Sequence, residues 1–453
     1  MRFCILVSAL CLLTSSFAQG QWLEDVVKVG DGPSAVVWSY PWVYVANRYS
    51  NSLSVLDQNA DSVVASITVD NEPVLLATDE WQHELYCACR LNPSLHIVCS
   101  DSNAVVANLP LNGEPSAMCL SGYPARRLFV AGFNSIRCNT TVTVIDLDLR
   151  RVAAELDVPG EVSSLWHSGD NADRLYCADP ARQCVWVLSV PGESLVRLYP
   201  AGAGACALTP SSYGRLYCAN RWDGTVTVID LAGDSVRTVL DVGAQPVTLV
   251  DYYGYIYCAN SGSDNVTVID NYSVRVVNTI HTGAEPCLCF VDGMWNKLQV
   301  VNARNHTLTV HDLWSGESLA SHELPAGPFA ATRVQWEWLN KLFIACEQSN
   351  SVAVFADSIQ IVGNAESSKG ADMLKSPSIV RGVLWLPRDM GLGTRSGLSD
   401  NPVMSRAALL DIGGRKVTDL RPGPNDVRAL APGVYFVRSV VSNRWTAAKV
   451  IVQ

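Results

Sequence analysis

The sequence predicts an all-β fold, a β-propeller followed by a small β-sandwich, and three observations carry the prediction. A Tyr-Cys-Ala-Asn-like string recurs through most of the 453 residues. Within each copy apolar and polar residues alternate, which is the period of a strand and not of a helix. Gly- and Pro-containing turns separate the short pieces at regular intervals. Aligned on the first residue of the string, the copies begin at Tyr44, Tyr86, Phe129, Tyr176, Tyr217, Tyr257, Gln299 and Phe343, with spacings of 40 to 47 residues. Repeats of that length, built of four short strands, are propeller blades.

The copy from Gln245 to Ile280 shows the expected elements in order. QPVTLVDY (Gln245 to Tyr252) is the inner strand, YIYCAN (Tyr255 to Asn260) the second, NVTVID (Asn265 to Asp270) the third and VRVVNTI (Val274 to Ile280) the outer one. Thr and Val alternate because β-branched side chains suit a pleated surface packed on both faces. Inner strands open on Pro33, Pro73, Pro115, Pro246, Pro286 and Pro328, with Val162 and Ala205 in the two departing copies. Proline is tolerated at a strand's first residue, where no ladder N–H is needed. Eight such starts give eight blades, with seven as the alternative if one copy is set aside. For the last copy only SIQIVG (Ser358 to Gly363) follows as an outer strand, and LEDVVKVG (Leu23 to Gly30) is available to supply or supplement it, closing the ring and removing an open edge.

The two ends of the chain read differently. Arg2, an apolar stretch from Phe3 to Leu13 and the small-residue site Ser16-Phe17-Ala18 form a secretory signal peptide over 1–18, too short to span a membrane. The propeller is assigned to 23–363 and a polar linker to 364–376. Residues 377–453 hold short strands, with Gly413-Gly414 as a tight turn, and read as the β-sandwich.

Two family resemblances follow from these strings. Tyr-Cys-Ala-Asn and Thr-Val-Thr-Val-Ile-Asp resemble the YVTN family of β-propeller repeats, found in surface and periplasmic proteins. The run LLDIGGRKVTDL (Leu409 to Leu420), LAPGVYFVR (Leu430 to Arg438) and AKVIV (Ala448 to Val452) is similar to C-terminal sorting domains of the type IX secretion system. The second resemblance implies export to the periplasm, engagement of the secretion machinery, and a secreted or cell-surface product. Neither resemblance implies an activity, because one fold hosts many.

Charge and chemistry narrow the function. A formal net charge of −10, without clustered Lys and Arg, argues against nucleic acid as a partner. The sequence shows no hydrolase, Walker or Rossmann signature, and no cofactor is expected. His83, His96, His167, His281, His306, His311 and His322 fall at different heights in the blades, so no metal site is expected. Fifteen cysteines include Cys4 and Cys11 in the leader, leaving thirteen. Of these, Cys87, Cys177, Cys218 and Cys258 repeat one strand position and read as small apolar filler. Cys89 and Cys99 are not opposite one another, whereas Cys138 and Cys184, near turns of neighbouring blades, form a candidate pair. Asp57, Asp146, Asp230, Asp270 and Asp312 recur at the third strand's end and read as turn residues that accept backbone N–H groups.

What remains is the face carrying the inter-blade and second-to-third turns. Arg48, Arg90 and Arg221 share one aligned position there, with Tyr49 and Trp222 beside two of them, and Glu72, Glu114, Glu161 and Glu285 share another. These are either a solvated rim or a ligand and partner surface around the channel mouth. The expected function is a non-enzymatic binding scaffold for a protein or glycan of the cell envelope. The fold also permits a quinoprotein-like enzyme or electron-transfer subunit.

Overall fold

The computed structural model describes residues 21–357, apart from 60, 80–81, 122–125, 170–172, 294–295 and 337–338, together with strand segments between 378 and 452. The expected leader over 1–18, the expected linker over 364–376 and the Ser358 to Gly363 segment lie outside the described residues. Eight four-stranded antiparallel sheets follow one another along 21–357, so the count is eight blades. Blades 1 to 7 occupy 33–68, 73–110, 114–158, 164–200, 205–241, 246–281 and 286–323. Blade 8 takes Pro328–Trp336, Leu339–Cys346 and Ser351–Asp357, and its outer strand is Gln21–Lys28 from the start of the propeller. The ring therefore closes with the first strand beside the last, and no blade is left three-stranded.

Small shifts of boundary have local causes. Pro246 opens its strand while Gln245, at φ 53°, belongs to the turn before it. The outer strand of blade 6 runs Arg275–His281, so His281 ends a strand and does not sit in the turn. Val274, also at positive φ, belongs to the preceding turn.

The recurrent string is a set of blade-to-blade ties. Tyr44, Tyr86, Tyr217 and Tyr257 are almost wholly buried between neighbouring sheets. The Tyr44 hydroxyl donates to Asn103 Oδ1 of the next blade at 2.6 Å, and Tyr217 donates to Asn271 Oδ1 of its next blade at 2.7 Å. The cysteines that follow, Cys87, Cys177, Cys218 and Cys258, have no exposed surface and are free thiols filling the same seams. In blades 1 and 5 the closing Asn donates its amide to two third-strand hydroxyls, Asn47 to Ser52 and Ser54, and Asn220 to Thr225 and Thr227. Glycines of the inter-blade turn pack on these amides: a Cβ at Gly30, Gly202, Gly243 or Gly283 would come within 2.8 Å of the Asn side chain. Blade 3 reverses the pair, with Gly132 in the strand against the Asn112 backbone in the turn, where a Cβ would collide with the Asn112 carbonyl oxygen.

Cys138 and Cys184 do not pair. Cys138 is exposed in its turn, whereas Cys184 is packed in the apolar seam of blades 3 and 4. Burial pushes the Cys184 thiol up to about 12. Cys89 and Cys99 are likewise apart, facing Ser94 and Glu84 across their hairpin.

The third-strand aspartates cap their turns. Asp230 Oδ1 accepts from Ala232 and Gly233, Asp270 Oδ1 from Tyr272 and Ser273, and Asp312 Oδ1 from Trp314 and Ser315. For Asp312 the Ser315 backbone N–H leads in holding the carboxyl below its ordinary value of 3.8. A depressed folded pKa stabilises the fold above the unfolded value, and that contribution is lost as pH falls through the lowered one. Replacing Asp312 by alanine is accordingly expected to cost about 1 kcal/mol at pH 7. The difference from the parent should shrink as pH falls below 3.8, as read by urea unfolding at pH 7 and in progressively stronger acid.

The C-terminal region forms a five-stranded sheet ordered Ser378–Val380, Arg444–Val452, Gly433–Val441, Ala407–Leu410 and Lys416–Leu420. A separate pair joins Val383–Leu386 to Gly423–Asp426. Ser378–Val380 and Val383–Leu386, close in sequence, thus belong to different sheets.

Candidate functional site

Strand alternation puts the inter-blade and second-to-third turns on one face of the ring, the upper face, and the first-to-second and third-to-fourth turns on the other. On the upper face the aligned charges mostly meet each other. Arg48 of blade 1 reaches Glu72, just before blade 2, at 3.1 Å, and Arg90 of blade 2 lies 4.0 Å from Glu114, the first residue of blade 3. Glu285 is taken by Arg304 of its own blade at 2.6 Å. These pairs tie one turn to the next, and being partly exposed each contributes little, about 0 to 1 kcal/mol. Arg221 differs, because the next turn offers Gln245 in place of a glutamate, and among the described residues it has no ion pair. Glu161 is exposed.

The two upper-face aromatics, Tyr49 and Trp222, are 60% and 67% exposed and each packs one side on a turn. The Tyr49 ring lies over Gly32 and the Trp222 ring over Gly204, where any Cβ would come within 3 Å of the ring. Both glycines adopt left-handed φ values, 65° and 76°, so the ring covers a turn that only glycine suits. Arg48 also sits 5.5 Å from the Tyr49 ring centre.

A different cluster emerges on the lower face of blades 5 to 7. Tyr213 occupies the first-to-second turn of blade 5; in blade 6 Tyr252 ends the inner strand and Tyr253 stands in the turn after it. Tyr255 starts the next strand, while Tyr272 and Trp314 stand in the third-to-fourth turns of blades 6 and 7. Tyr213 packs edge-on to Tyr272 at 6.4 Å between ring centres, Tyr252 lies 5.0 Å from Tyr253, and Tyr255 lies 6.1 Å from Trp314. The Tyr213 ring also comes against Gly254, and Tyr252 covers Gly293, so the pairs join into one row. Tyr213, Tyr253, Tyr272 and Trp314 are 50%, 82%, 77% and 56% exposed. Four large aromatic side chains left this open on adjacent turns are unusual for a surface with no partner.

Turn chemistry holds the row in place. Asp270 and Asp312, the strand-ending aspartates, accept the backbone N–H groups of Tyr272 and Trp314 and so fix the two turns that present them. Arg215 hydrogen-bonds to Asn271 and lies 6.0 Å from the Tyr213 ring centre, a cation–π distance. Asp251, on the inner strand beneath, has a carboxyl pushed up by burial and only partly offset by the Ser212 N–H, and its Oδ1 is buried without a partner. Sequence reasoning passed over these residues because it followed what repeats. The signal was there as aromatics at non-repeating turn positions in three consecutive copies.

Among the described residues no group of three or more His, Cys, Asp or Glu side chains is placed to hold a metal ion. No helix among them is long and apolar enough to cross a membrane.

No protein-family model matches the sequence, and no characterised protein matches it well enough to count as a relative. Solved structures match in fold. The computationally designed Ika8 protein superposes with a TM-score of 0.62 at 13% identity, covering 74% of this chain and 100% of that one. Sqt1 of Saccharomyces cerevisiae gives 0.63 at 10% identity, over 74% and 98%. The dihydro-heme d1 dehydrogenase NirN, solved in complex with DHE, gives 0.55 at 15% identity, over 65% of this chain and 66% of its own. Likeness at such identities shows the propeller fold and nothing finer.

Proposed function

We propose that the protein is an exported, non-enzymatic binding scaffold that takes a partner of the cell envelope on the lower face of blades 5 to 7. The observation that carries this reading is the exposed row of Tyr213, Tyr253, Tyr272 and Trp314. Tyr, Trp and Arg are the side chains that dominate binding energy at protein interfaces, since they bury large areas with few rotatable bonds. Here Arg215 stands beside the row. That composition favours a protein partner over a glycan. The leader-like first 18 residues and the sorting-like tail support export to the surface. The upper-face Arg and Glu residues act in this reading as scaffold, with Arg221 the exception.

Full-length protein immobilised and exposed to envelope extract tests the proposal. Retention should disappear when the extract is first treated with protease and survive enzymatic deglycosylation. The opposite pattern would make the partner a glycan. Retention no greater than on blocked resin would overturn the reading.

A further inference from the structure

We propose that His311 is an acid-sensitive latch beneath the Trp314 turn, loosening the lower-face row and releasing its partner in mild acid. The release rests on the function proposed above, whereas the latch rests on geometry alone. His311 is the last residue but one of blade 7's third strand, Thr307–Asp312, and lies opposite Leu298. In the other seven blades the equivalent residue is Leu, Val, Ile or Phe, as with Ile229 in blade 5 and Ile269 in blade 6. Ile229 packs toward blade 4 and Ile269 toward blade 5. His311 accordingly faces blade 6, in the apolar seam that holds Leu298 and Leu313.

The site suits a neutral ring and not a charged one. His311 is 2% exposed, and both its ring nitrogens are buried without a hydrogen-bond partner. Among the described residues no unengaged counter-charge faces it. The second and third strands of blade 6 turn Tyr255, Tyr257 and Asp270 to this seam, and Asp270 already accepts the Tyr272 and Ser273 N–H groups. Arg275 and His281, on the outer strand of blade 6, are exposed, and Asp251 on its inner strand meets Ser212 of blade 5. Within blade 7 the inner strand contributes the Cys289 thiol to the seam. Asp292, Lys297 and Asp312 lie one residue out of step with Leu298 and His311, on the other face of the sheet, where Arg333 meets Asp292 at 2.9 Å. Glu317 and Glu323 are exposed, and His322 packs on Phe355 of blade 8. Burial lowers the His311 pKa from its ordinary 6.5, only partly offset by the Gly316 backbone. With the folded value lowered, the stability contributed by the neutral ring is present above 6.5 and is lost as pH falls from there toward the folded value.

The next residue, Asp312, ties this ring to the turn. Its N–H donates to the Glu317 carbonyl at 2.8 Å, and its own carbonyl accepts from Gly316 N–H at 2.9 Å. Its carboxylate takes the Trp314 and Ser315 N–H groups. His311 itself pairs with Ser318, where the outer strand begins. An imidazolium that leaves the seam for water displaces this anchor, and Trp314 loses its place beside Tyr255.

Amide exchange of the partner-free full-length protein, corrected for intrinsic rates, is compared at pH 7.5 and 5.0. The blade 7 turn from Leu313 to Glu317 should open about tenfold more at pH 5.0, while the blade 6 turn from Asn271 to Val274, beside Ile269, should not. His311→Leu, or His311→Phe as in blade 8, should abolish the response. Retention of the envelope partner should fall about tenfold at pH 5.0 in the parent and in neither variant. A blade 7 turn indifferent to pH, or a variant that responds as the parent does, overturns the latch. An opening turn with equal retention at both pH values overturns its link to the partner. Retention absent at both pH values refutes the partner reading instead, and exchange in the free protein still decides the latch.

Discussion

Lys341→Met is expected to destabilise the propeller by about 3 kcal/mol, because breaking a buried ion pair strands its partners. Lys341 Nζ sits 2.7 Å from both carboxylate oxygens of Asp61 and 2.9 Å from Glu24. The lysine and Asp61 side chains are 6% and 8% exposed. Lys341 belongs to blade 8, Asp61 to blade 1 and Glu24 to the strand that completes blade 8, so one cation ties the seam where the ring closes. Burial already pushes the Asp61 carboxyl above its ordinary value of 3.8, despite the lysine. A raised folded pKa means that protonation favours the folded state, so stability from this group is present in acid and lost as pH rises through the folded value. Removing the cation raises that value further. The deficit of the variant should therefore be largest at pH 7 and above and shrink as pH falls toward 4. Arg304→Met, which breaks a surface pair, serves as control and should change stability by no more than about 0.5 kcal/mol. Equal urea midpoints for the Lys341 variant and the parent at pH 7 would remove the seam from the account.

The second large effect concerns binding. Changing Tyr253, Tyr272 and Trp314 together to serine should weaken retention of the envelope partner about 100-fold or more, since a few aromatic side chains carry most of an interface's energy. The rings are largely exposed, so their loss should alter folding stability by about 1 kcal/mol or less. A change confined to binding separates an interface from a structural cluster. Undiminished retention by a folded triple variant would mean that the partner sits elsewhere.

Repetition decides which of these features the sequence discloses. The strands, the buried Tyr, the filler cysteines and the turn aspartates occur in several copies, so each is legible as a pattern with a physical reason. The first strand as blade closure was also legible, because only SIQIVG followed the last copy's third strand and LEDVVKVG stood available to supply or supplement it. Features made by one copy meeting the next were harder to see. Arg48 and Glu72 look like an open rim when aligned in columns, and only the stagger between neighbouring blades brings them to 3.1 Å. Cys138 and Cys184 fail as a pair for a related reason: proximity of turns does not fix where side chains point, and one thiol faces the seam while the other faces solvent. The lower-face aromatics and His311 are departures from the repeat. Their positions could be read as exceptions, but their convergence needed the fold.

Amide hydrogen exchange of the full-length protein, with and without its captured partner, tests the central claim most directly. The account predicts slowed exchange in the turns around Tyr213, Tyr253, Tyr272 and Trp314, with the turns of Arg48, Arg90 and Arg221 unchanged. Protection of the upper-face turns instead, with the lower face of blades 5 to 7 unaffected, would contradict it.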